Sequence, residues 1–189
     1  MIRETLNLTS FILSAEIANE QNIRKMKIMS STDLLTGVYN RNAMNNRISD
    51  HGNGTRVLEA PFGVFFIDVN GLKTTNDTKG HLAGDELLKD VAATLREYKS
   101  EQMEVYRVGG DEFMIIAPAT PRDEFEALAK TLRENSERPN RAHFAVGACH
   151  GEEVENIYKA MQTADARMYE VKEEYYARHP EYEWHNKLR

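Results

Sequence analysis

Short apolar segments divide this chain into predicted strands. Pro61 to Val69, with the sequence PFGVFFIDV, is an almost continuous apolar run, typical of a strand that is buried on both faces. MEVYRV and EFMIIA flank two adjacent glycines, and this arrangement predicts an antiparallel hairpin. HFAVGACH, at residues 143–150, predicts one more strand.

Three stripes of apolar residues at helical spacing predict three helices, each with one buried face. The stripes are Leu82, Leu87, Leu88, Val91, Leu95 and Tyr98; Phe125, Leu128, Ala129 and Leu132; and Val154, Ile157, Tyr158, Met161, Ala164, Met168, Val171 and Tyr175. A polar loop is expected between the strand that ends at Val69 and the first of these helices. The order strand, helix, strand, strand, helix, strand, helix predicts an α/β or α+β sandwich with a mixed sheet.

Residues 4–30 predict a further helix, since apolar residues recur there at loose helical spacing with polar residues between them. Such a helix would suit a stalk that pairs with a second copy, although its heptad pattern is too imperfect to indicate a coiled coil. The segment SSTD, Ser30 to Asp33, supplies residues that stop and cap helices. We therefore expect an N-terminal helix over 1–31, a domain over 32–178 and a C-terminal tail over 179–189.

Composition and charge narrow the possible partners. The net charge of −6 argues against a nucleic-acid-binding protein, because such domains usually carry a basic balance or stripe. No apolar run approaches the ~18–20 residues needed to span a bilayer, and the first residues do not resemble a signal peptide or an anchor. The single cysteine, Cys149, excludes an internal disulfide framework. We expect a cytoplasmic protein without membrane insertion, whose phosphate ligand would be small and bound with a metal.

Three acids lie where predicted elements end. Asp68 is near the end of the apolar strand, and Asp111 and Glu112 follow Gly109 and Gly110 at the hairpin turn. If strand and hairpin are adjacent, the three carboxylates converge, and like charges held close resist ionisation. A divalent cation such as Mg²⁺ removes this conflict, and paired ions can clamp both oxygens of a phosphoryl displacement. The glycines would permit positive φ and a close approach of substrate. The alternative is an ordinary tight hairpin with solvated acids.

A second polar cluster, Asn70 to Leu88, directly follows the same strand, where ligands tend to bind in open sheets. Asp85 suits the adjacent N1–H and N2 amino groups of guanine, because a carboxylate accepts two parallel hydrogen bonds. Asn76 would satisfy the remaining edge of the base. The alternative is a turn-forming Asn76–Asp77 pair, with Asp85 favoured by the dipole in the first turn of a helix.

Taken together, RVGGDEF, IDVNGLKTTNDTKGHLAGDELL, DLLTGVYNR and ADARMYEVK resemble the GGDEF family of diguanylate cyclases, and the resemblance covers roughly Asp33 to Tyr176. It implies a palm-like nucleotidyl-cyclase fold, an α+β sandwich whose central, mainly antiparallel five-stranded sheet is flanked by helices. It also implies the condensation of two GTP molecules into cyclic di-GMP, with release of two pyrophosphates, across the interface of a homodimer.

The resemblance assigns roles to individual residues. Asp68 and Asp111 match metal-binding carboxylates with the Val69 carbonyl as a further ligand, for two Mg²⁺ or Mn²⁺ ions per active site. Glu112 matches an acid that assists deprotonation of the 3′-hydroxyl or shares in metal binding. The remaining matches are contacts to GTP: Asn76 and Asp85 to the guanine, Gly109 and Gly110 near the phosphates, and Lys73 and Lys172 to the triphosphate.

Three departures from the family pattern bear on activity. Asn70 stands where many members carry a second Asp, which weakens the negative charge without removing a matched ligand. Tyr176 stands one helical turn after Lys172, where the family usually has a basic residue. The segment SEQM, 100–103, replaces the Arg-x-x-Asp of the inhibitory product site, so feedback there is not expected. Asp85 argues against the use of ATP.

Two other functions stay open on the sequence. One is a catalytically inactive GGDEF-like module that binds GTP or a protein partner, which Tyr176 favours. The other is a palm-type cyclase that makes a monomeric cyclic nucleotide. For the cyclase reading we expect an upstream sensor or regulatory region to act through the N-terminal helix.

Overall fold

A computed structural model describes residues 13–14, 16–22, 26, 30–52, 58–98, 103–139, 141–153 and 157–182. The strands are β1 (Tyr39–Asn40), β2 (Phe62–Val69), β3 (Glu104–Arg107), β4 (Glu112–Ala117) and β5 (Phe144–Gly151). The helices of the domain are α1 (Arg41–Gly52), α2 (Leu72–Lys79), α3 (His81–Glu97), α4 (Arg122–Ser136) and α5 (Ile157–Arg178).

The strands form one sheet in the order β1-β3-β4-β2-β5. Only the β1–β3 pair is parallel, and the other three pairs are antiparallel. The apolar strand β2 lies between β4 and β5, and all of its residues except Phe66 are buried. A mixed, mainly antiparallel five-stranded sheet flanked by helices is therefore confirmed.

Each face of the sheet buries its own core, because successive side chains of a strand point to opposite faces. On one face, Phe65 of β2 and Phe113 of β4 pack with apolar residues of α3 and α4. On the other face, Val64 of β2 and Met114 of β4 pack with residues of α1 and α5. Asp68 is on the same side of β2 as Val64, so its carboxylate lies on the face covered by α1 and α5.

Close packing of α5 on β5 depends on Gly147. A methyl group at this position would collide with the backbone carbonyl oxygen of Ala164 and the backbone nitrogen of Met168. The absence of a side chain at Gly147 thus lets α5 approach the sheet closely. This approach brings the end of α5 near the ends of β2 and β5.

The predicted strands, hairpin and three helices are confirmed, but three expectations for the secondary structure were incomplete or wrong. The segment after β2, expected as a polar loop, forms α2. Neither β1 nor α1 was predicted, since α1 is too polar to show a stripe. The start of α1 has a local signal, because the Ala43 N–H donates to Asn40 Oδ1 at 3.0 Å, as at a helix N-cap.

Two residues assigned to buried stripes are exposed. Leu82 is 83% exposed and Tyr158 is 60% exposed. Leu82 is the second residue of α3, and Tyr158 is the second residue of α5. At Leu82 the helix begins before its buried face meets the sheet, whereas Ile157, the residue before Tyr158, is already buried in the core and Tyr158 lies on the exposed side of α5.

The N-terminal segment is described only in part. Residues 16–22 are helical, and the side chains of Leu13, Ile17 and Met26 are exposed. Residues 13–14, 26 and 30 are also helical, and the other residues of the helix predicted over 4–30 lie outside the described residues, as does Val154. Among the helices that the structure describes, none is both long enough and apolar enough to cross a membrane.

Candidate active site

The ends of β2 and β4 bring the predicted acids together. Asp68 and Glu112 are direct partners across the antiparallel β2–β4 pair. The Val69 N–H donates to the backbone oxygen of Asp111 at 2.9 Å, which joins the hairpin turn to the end of β2. The adjacency on which the convergence of the three acids depended is therefore found.

Asp68 is the buried acid of this cluster. It is 3% exposed, and Lys172 of α5 places Nζ 2.6 Å from its Oδ1, an ion-pair contact without hydrogen-bond geometry at that oxygen. Burial raises the pKa of Asp68 to about 7, Lys172 opposes this shift, and the charges of Asp111 and Glu112 reinforce it. The site thus concentrates negative charge that one lysine only partly offsets.

Gly109 and Gly110 differ in what they do at the turn. Neither has φ in the left-handed region, so the expected need for positive φ was wrong. A methyl group on Gly109 would collide with the carboxylate of Glu112, whereas one on Gly110 would meet nothing within 4 Å. Gly109 therefore makes room for Glu112, and exposed Gly110 leaves open space beside the turn.

Arg107 fixes the hairpin and was not singled out from the sequence. Its Nη2 donates to the Gly110 carbonyl at 2.7 Å, and its Nη1 lies 3.1 Å from Asp33 Oδ1. The same Asp33 oxygen accepts hydrogen bonds from the backbone and the hydroxyl of Thr36. Burial alone would raise the pKa of Asp33, but these bonds and Arg107 outweigh it and lower the pKa. Arg107 thus ties the turn to the start of the domain.

The predicted guanine-binding residues lie on two consecutive helices. Asn76 is inside α2, so it is not part of a turn, and Asp85 is the fifth residue of α3, beyond its first turn. A methyl group on Gly84 would collide with Asn76 Oδ1, which shows that the Asn76 amide lies against the residue before Asp85. Both side chains are half-buried, and Gly84 was missed because its role depends on how α2 packs on α3.

The two lysines predicted to contact the triphosphate differ in exposure. Lys73 is exposed in the first turn of α2, whereas Lys172 is half-buried against Asp68. Tyr176 follows Lys172 on α5, and its hydroxyl accepts a hydrogen bond from the Gly71 N–H at 3.1 Å. Gly71 has φ 70° and is the N-cap residue of α2. The Tyr176 side chain therefore reaches the turn that follows Asp68.

The acids can be tested for their fit to a metal ion. In the described part of the chain, no three His, Cys, Asp or Glu side chains are grouped so that they could hold a metal by themselves. Glu112 is turned against Gly109, so the three acids do not form a closed cage. Mg²⁺ usually takes only one or two carboxylates and completes its shell with water and phosphate oxygens. The buried Asp68 oxygen and the neighbouring Asp111 fit that requirement.

Comparison with known families and proteins agrees with this geometry. The sequence matches the family described as Diguanylate cyclase, GGDEF domain, over residues 30–178. It is 31% identical over 163 residues to the cyclic di-GMP phosphodiesterase PdeR of Escherichia coli K12, covering 79% of this chain and 23% of PdeR. It is 31% identical over 146 residues to the diguanylate cyclase DgcM of the same strain, covering 74% of this chain and 35% of DgcM. The chain thus spans about a quarter to a third of these relatives.

Two solved structures share the fold. The coiled coil and GGDEF domain of DgcB from Caulobacter crescentus, in complex with c-di-GMP, has a TM-score of 0.71 at 22% identity, over 89% of this chain and 95% of that one. A microbial GGDEF domain that interacts with cyclic di-GMP has a TM-score of 0.61 at 30% identity, over 77% of this chain and 94% of that one.

Proposed function

This chain belongs to the GGDEF family of diguanylate cyclase domains, with a role related to cyclic di-GMP, and we propose that it is itself a metal-dependent diguanylate cyclase. It would condense two GTP molecules into cyclic di-GMP and two pyrophosphates as a homodimer. The observation that supports this most directly is the pairing of Asp68 with Glu112 across two strands, beside Asp111 at the hairpin turn.

The reaction consists of two equivalent displacements. In each, the 3′-hydroxyl oxygen of one GTP attacks the α-phosphorus of the other, a phosphorus–oxygen bond forms, and the bond to pyrophosphate breaks. The hydroxyl proton goes to a base, for which Glu112 is the candidate, since its carboxylate lies at the turn next to Gly109. If Glu112 shares in metal binding instead, the proton goes to water.

Asp68 and Asp111, with the Val69 carbonyl, would hold two Mg²⁺ or Mn²⁺ ions. Bound there, the ions would neutralise the triphosphate and the developing charge on the leaving oxygen. Lys172 contacts Asp68 and partly offsets its charge, so metal binding would release this lysine toward the phosphates. The buried acid thereby keeps a partner in both states, which limits the cost of an unpaired buried charge.

Base recognition would come from Asn76 and Asp85. The contact of Asn76 with Gly84 holds the amide against the residue that precedes Asp85, and a carboxylate and an amide would then face the base together. That combination suits the N1–H and N2 amino donors of guanine and leaves adenine with an acceptor facing a carboxylate. Lys73, exposed at the start of α2, would contact the triphosphate.

Two copies must meet, because each holds one GTP and the attack crosses between them. Proximity is then the natural control point. The exposed Leu13 and Ile17, four residues apart on a helix, would form part of a surface through which a stalk pairs with its copy. An upstream sensor or regulatory region would set the spacing of the two domains through this stalk.

Incubation with GTP and Mg²⁺, with products identified by mass spectrometry, tests this function. We expect cyclic di-GMP from the parent chain, none from Asp111→Asn, and parent-like formation from Glu126→Gln, an exposed acid on α4. Circular dichroism should show that both variants stay folded. The proposal fails if the parent, at high concentration and with an artificial dimeriser fused to its N-terminus, yields no cyclic di-GMP. The same assay would reveal a monomeric cyclic nucleotide.

One arrangement favours a second candidate, an inactive module that binds GTP or a protein partner. Lys172 is engaged with Asp68, and Tyr176 supplies a hydroxyl instead of a charge near the turn after β2. This arrangement would give a low affinity for the phosphates of GTP. Saturable GTP binding without any product, in the dimerised chain, would establish this alternative.

A further inference from the structure

The end of α5 folds over the turn between β2 and α2. The Tyr176 hydroxyl accepts the Gly71 N–H at 3.1 Å, and the ring of Tyr182 lies over the same glycine, where an added methyl group would meet its Cε1 at 2.9 Å. We call Tyr176 together with residues 179–182 the C-terminal cover.

Aromatic packing on Tyr175 holds the cover in place. Tyr175 is buried, its ring stacks on His179 with centroids 4.4 Å apart, and the ring of Tyr182 lies 6.0 Å away. The His179 N–H donates to the Tyr175 carbonyl at 3.0 Å, and the Tyr182 N–H donates to the His179 carbonyl at 3.1 Å. Arg178 pairs with Glu137 at 2.6 Å and fixes the chain just before the cover. The cover is thus an ordered continuation of α5.

The covered turn lies inside the proposed GTP site. Gly71 is between Asp68 and Lys73 in the chain, and it is the N-cap residue of α2. No side chain caps the N-terminus of this helix. Backbone N–H groups at such an end attract anions, because they lack partners within the helix and point along the positive end of its dipole. A hydroxyl oxygen accepts the Gly71 N–H in the way that a phosphate oxygen would.

A second observation at the same turn concerns the side chain of Asn70. Asn70, next to Gly71, is 5% exposed, and neither polar atom of its side-chain amide has a hydrogen-bond partner among the described residues. Buried polar groups in native structures are normally paired, and an exception often marks a functional position or the place of a water or an ion. Phosphate oxygens or water bound at this turn would supply partners for the Asn70 amide.

We propose that the C-terminal cover occupies the place of a triphosphate oxygen at the Gly71 N–H and moves aside when a nucleotide binds. This inference rests on the proposed function, because it takes GTP as the ligand of the turn. The cover then lowers the affinity of the resting chain for GTP by the strength of the contacts that must be broken. Tyr176 and Tyr182 thus determine the affinity for the phosphates of GTP without contributing a charge.

Removing the hydroxyl or the covering ring tests the proposal. Tyr176→Phe keeps the ring and deletes the acceptor of the Gly71 N–H, and Tyr182→Ala deletes the covering ring. Tyr158→Phe is the matched control, since Tyr158 is an exposed tyrosine at the other end of α5. Binding of a GTP analogue with a non-hydrolysable α,β-methylene bridge would be measured by calorimetry with Mg²⁺.

We expect binding to tighten by about three- to tenfold in Tyr176→Phe, the worth of one hydrogen bond released in the free chain, and to tighten also in Tyr182→Ala. The control should match the parent. Hydrogen exchange of the Gly71 amide in the nucleotide-free chain should speed up in Tyr176→Phe.

The outcomes separate this proposal from the proposed function. If the parent makes cyclic di-GMP but Tyr176→Phe binds the analogue with equal or lower affinity, the proposed role of the cover is refuted and the proposed cyclase function is supported. If Tyr176→Phe binds the analogue more tightly while neither the parent nor any variant makes cyclic di-GMP, the proposed role of the cover is supported and the proposed cyclase function is refuted. If no form binds the analogue, both fail.

Discussion

Gly84→Ala should weaken guanine recognition without weakening the fold. A methyl group on Gly84 would collide with Asn76 Oδ1 and would lie 3.1 Å from Leu72 Cδ1. Gly84 is inside α3 and does not have positive φ, so alanine suits its backbone. The atom that must yield is the end of the Asn76 side chain, which can rotate away. The substitution therefore acts on a predicted base contact from a position that does not itself touch the base.

The expected magnitudes follow from these two effects. Alanine in a helix interior is favoured over glycine by about 0.8–1 kcal/mol, which offsets the strain of the displaced side chain. Displacing the Asn76 amide forfeits a hydrogen bond to guanine worth about 0.5–1.5 kcal/mol. Since about 1.4 kcal/mol corresponds to a tenfold change, affinity for GTP should fall by about three- to tenfold. The urea midpoint should stay close to that of the parent.

A double-mutant cycle measures this coupling. Binding of the non-hydrolysable GTP analogue would be compared among the parent, Gly84→Ala, Asn76→Ala and the double variant, with Lys89→Ala as an exposed control on α3. If the methyl acts by displacing Asn76, the double variant should bind like Asn76→Ala alone, because coupled sites are not additive. Parent-like binding by Gly84→Ala, or additive losses in the double variant, would refute the reasoning.

Three further predictions concern stability and the hairpin. Gly147→Ala should lower the free energy of unfolding by about 2–3 kcal/mol, because its methyl meets the backbone of α5 at Ala164, and an unchanged urea midpoint would contradict this. In the metal-free parent, burial raises the Asp68 pKa from 3.8 to about 7. The folded chain then binds the extra proton between these values, and stability should fall as pH rises through that window, by up to about 1.4 kcal/mol per unit. Asp68→Asn should flatten this profile of urea midpoint against pH, and a profile as steep as the parent's would assign it to other groups. Arg107→Lys should reduce turnover more than stability, because lysine lacks the planar fork that reaches Gly110 and Asp33. Equal turnover in steady-state assays would show that the hairpin needs no such support.

Elements with strong apolar patterns were predictable from the sequence, and those without them were not. Strand β2 was evident because both of its faces are buried, which removes polar residues from nearly every position. Helix α1 was missed because it buries little more than Met44 and Ile48 among its described side chains, and its surface is otherwise polar. Leu82 shows the converse error, since an apolar residue at the right spacing is exposed where the helix has not yet met the sheet.

The sequence by itself determined the family, the strand that carries Asp68 near its end, the strand that begins at Glu112, and the candidates for metal, phosphate and guanine contacts. These depend on residue types and their spacing along short segments, because the period of a strand or helix fixes the side to which each side chain points. Tertiary structure alone decided that Lys172 meets Asp68, that Gly84 holds Asn76 in place, and that Tyr176 reaches Gly71 from 105 residues away. Such contacts depend on where each helix packs over the sheet, and that placement follows from the whole core, including the space that Gly147 leaves for α5.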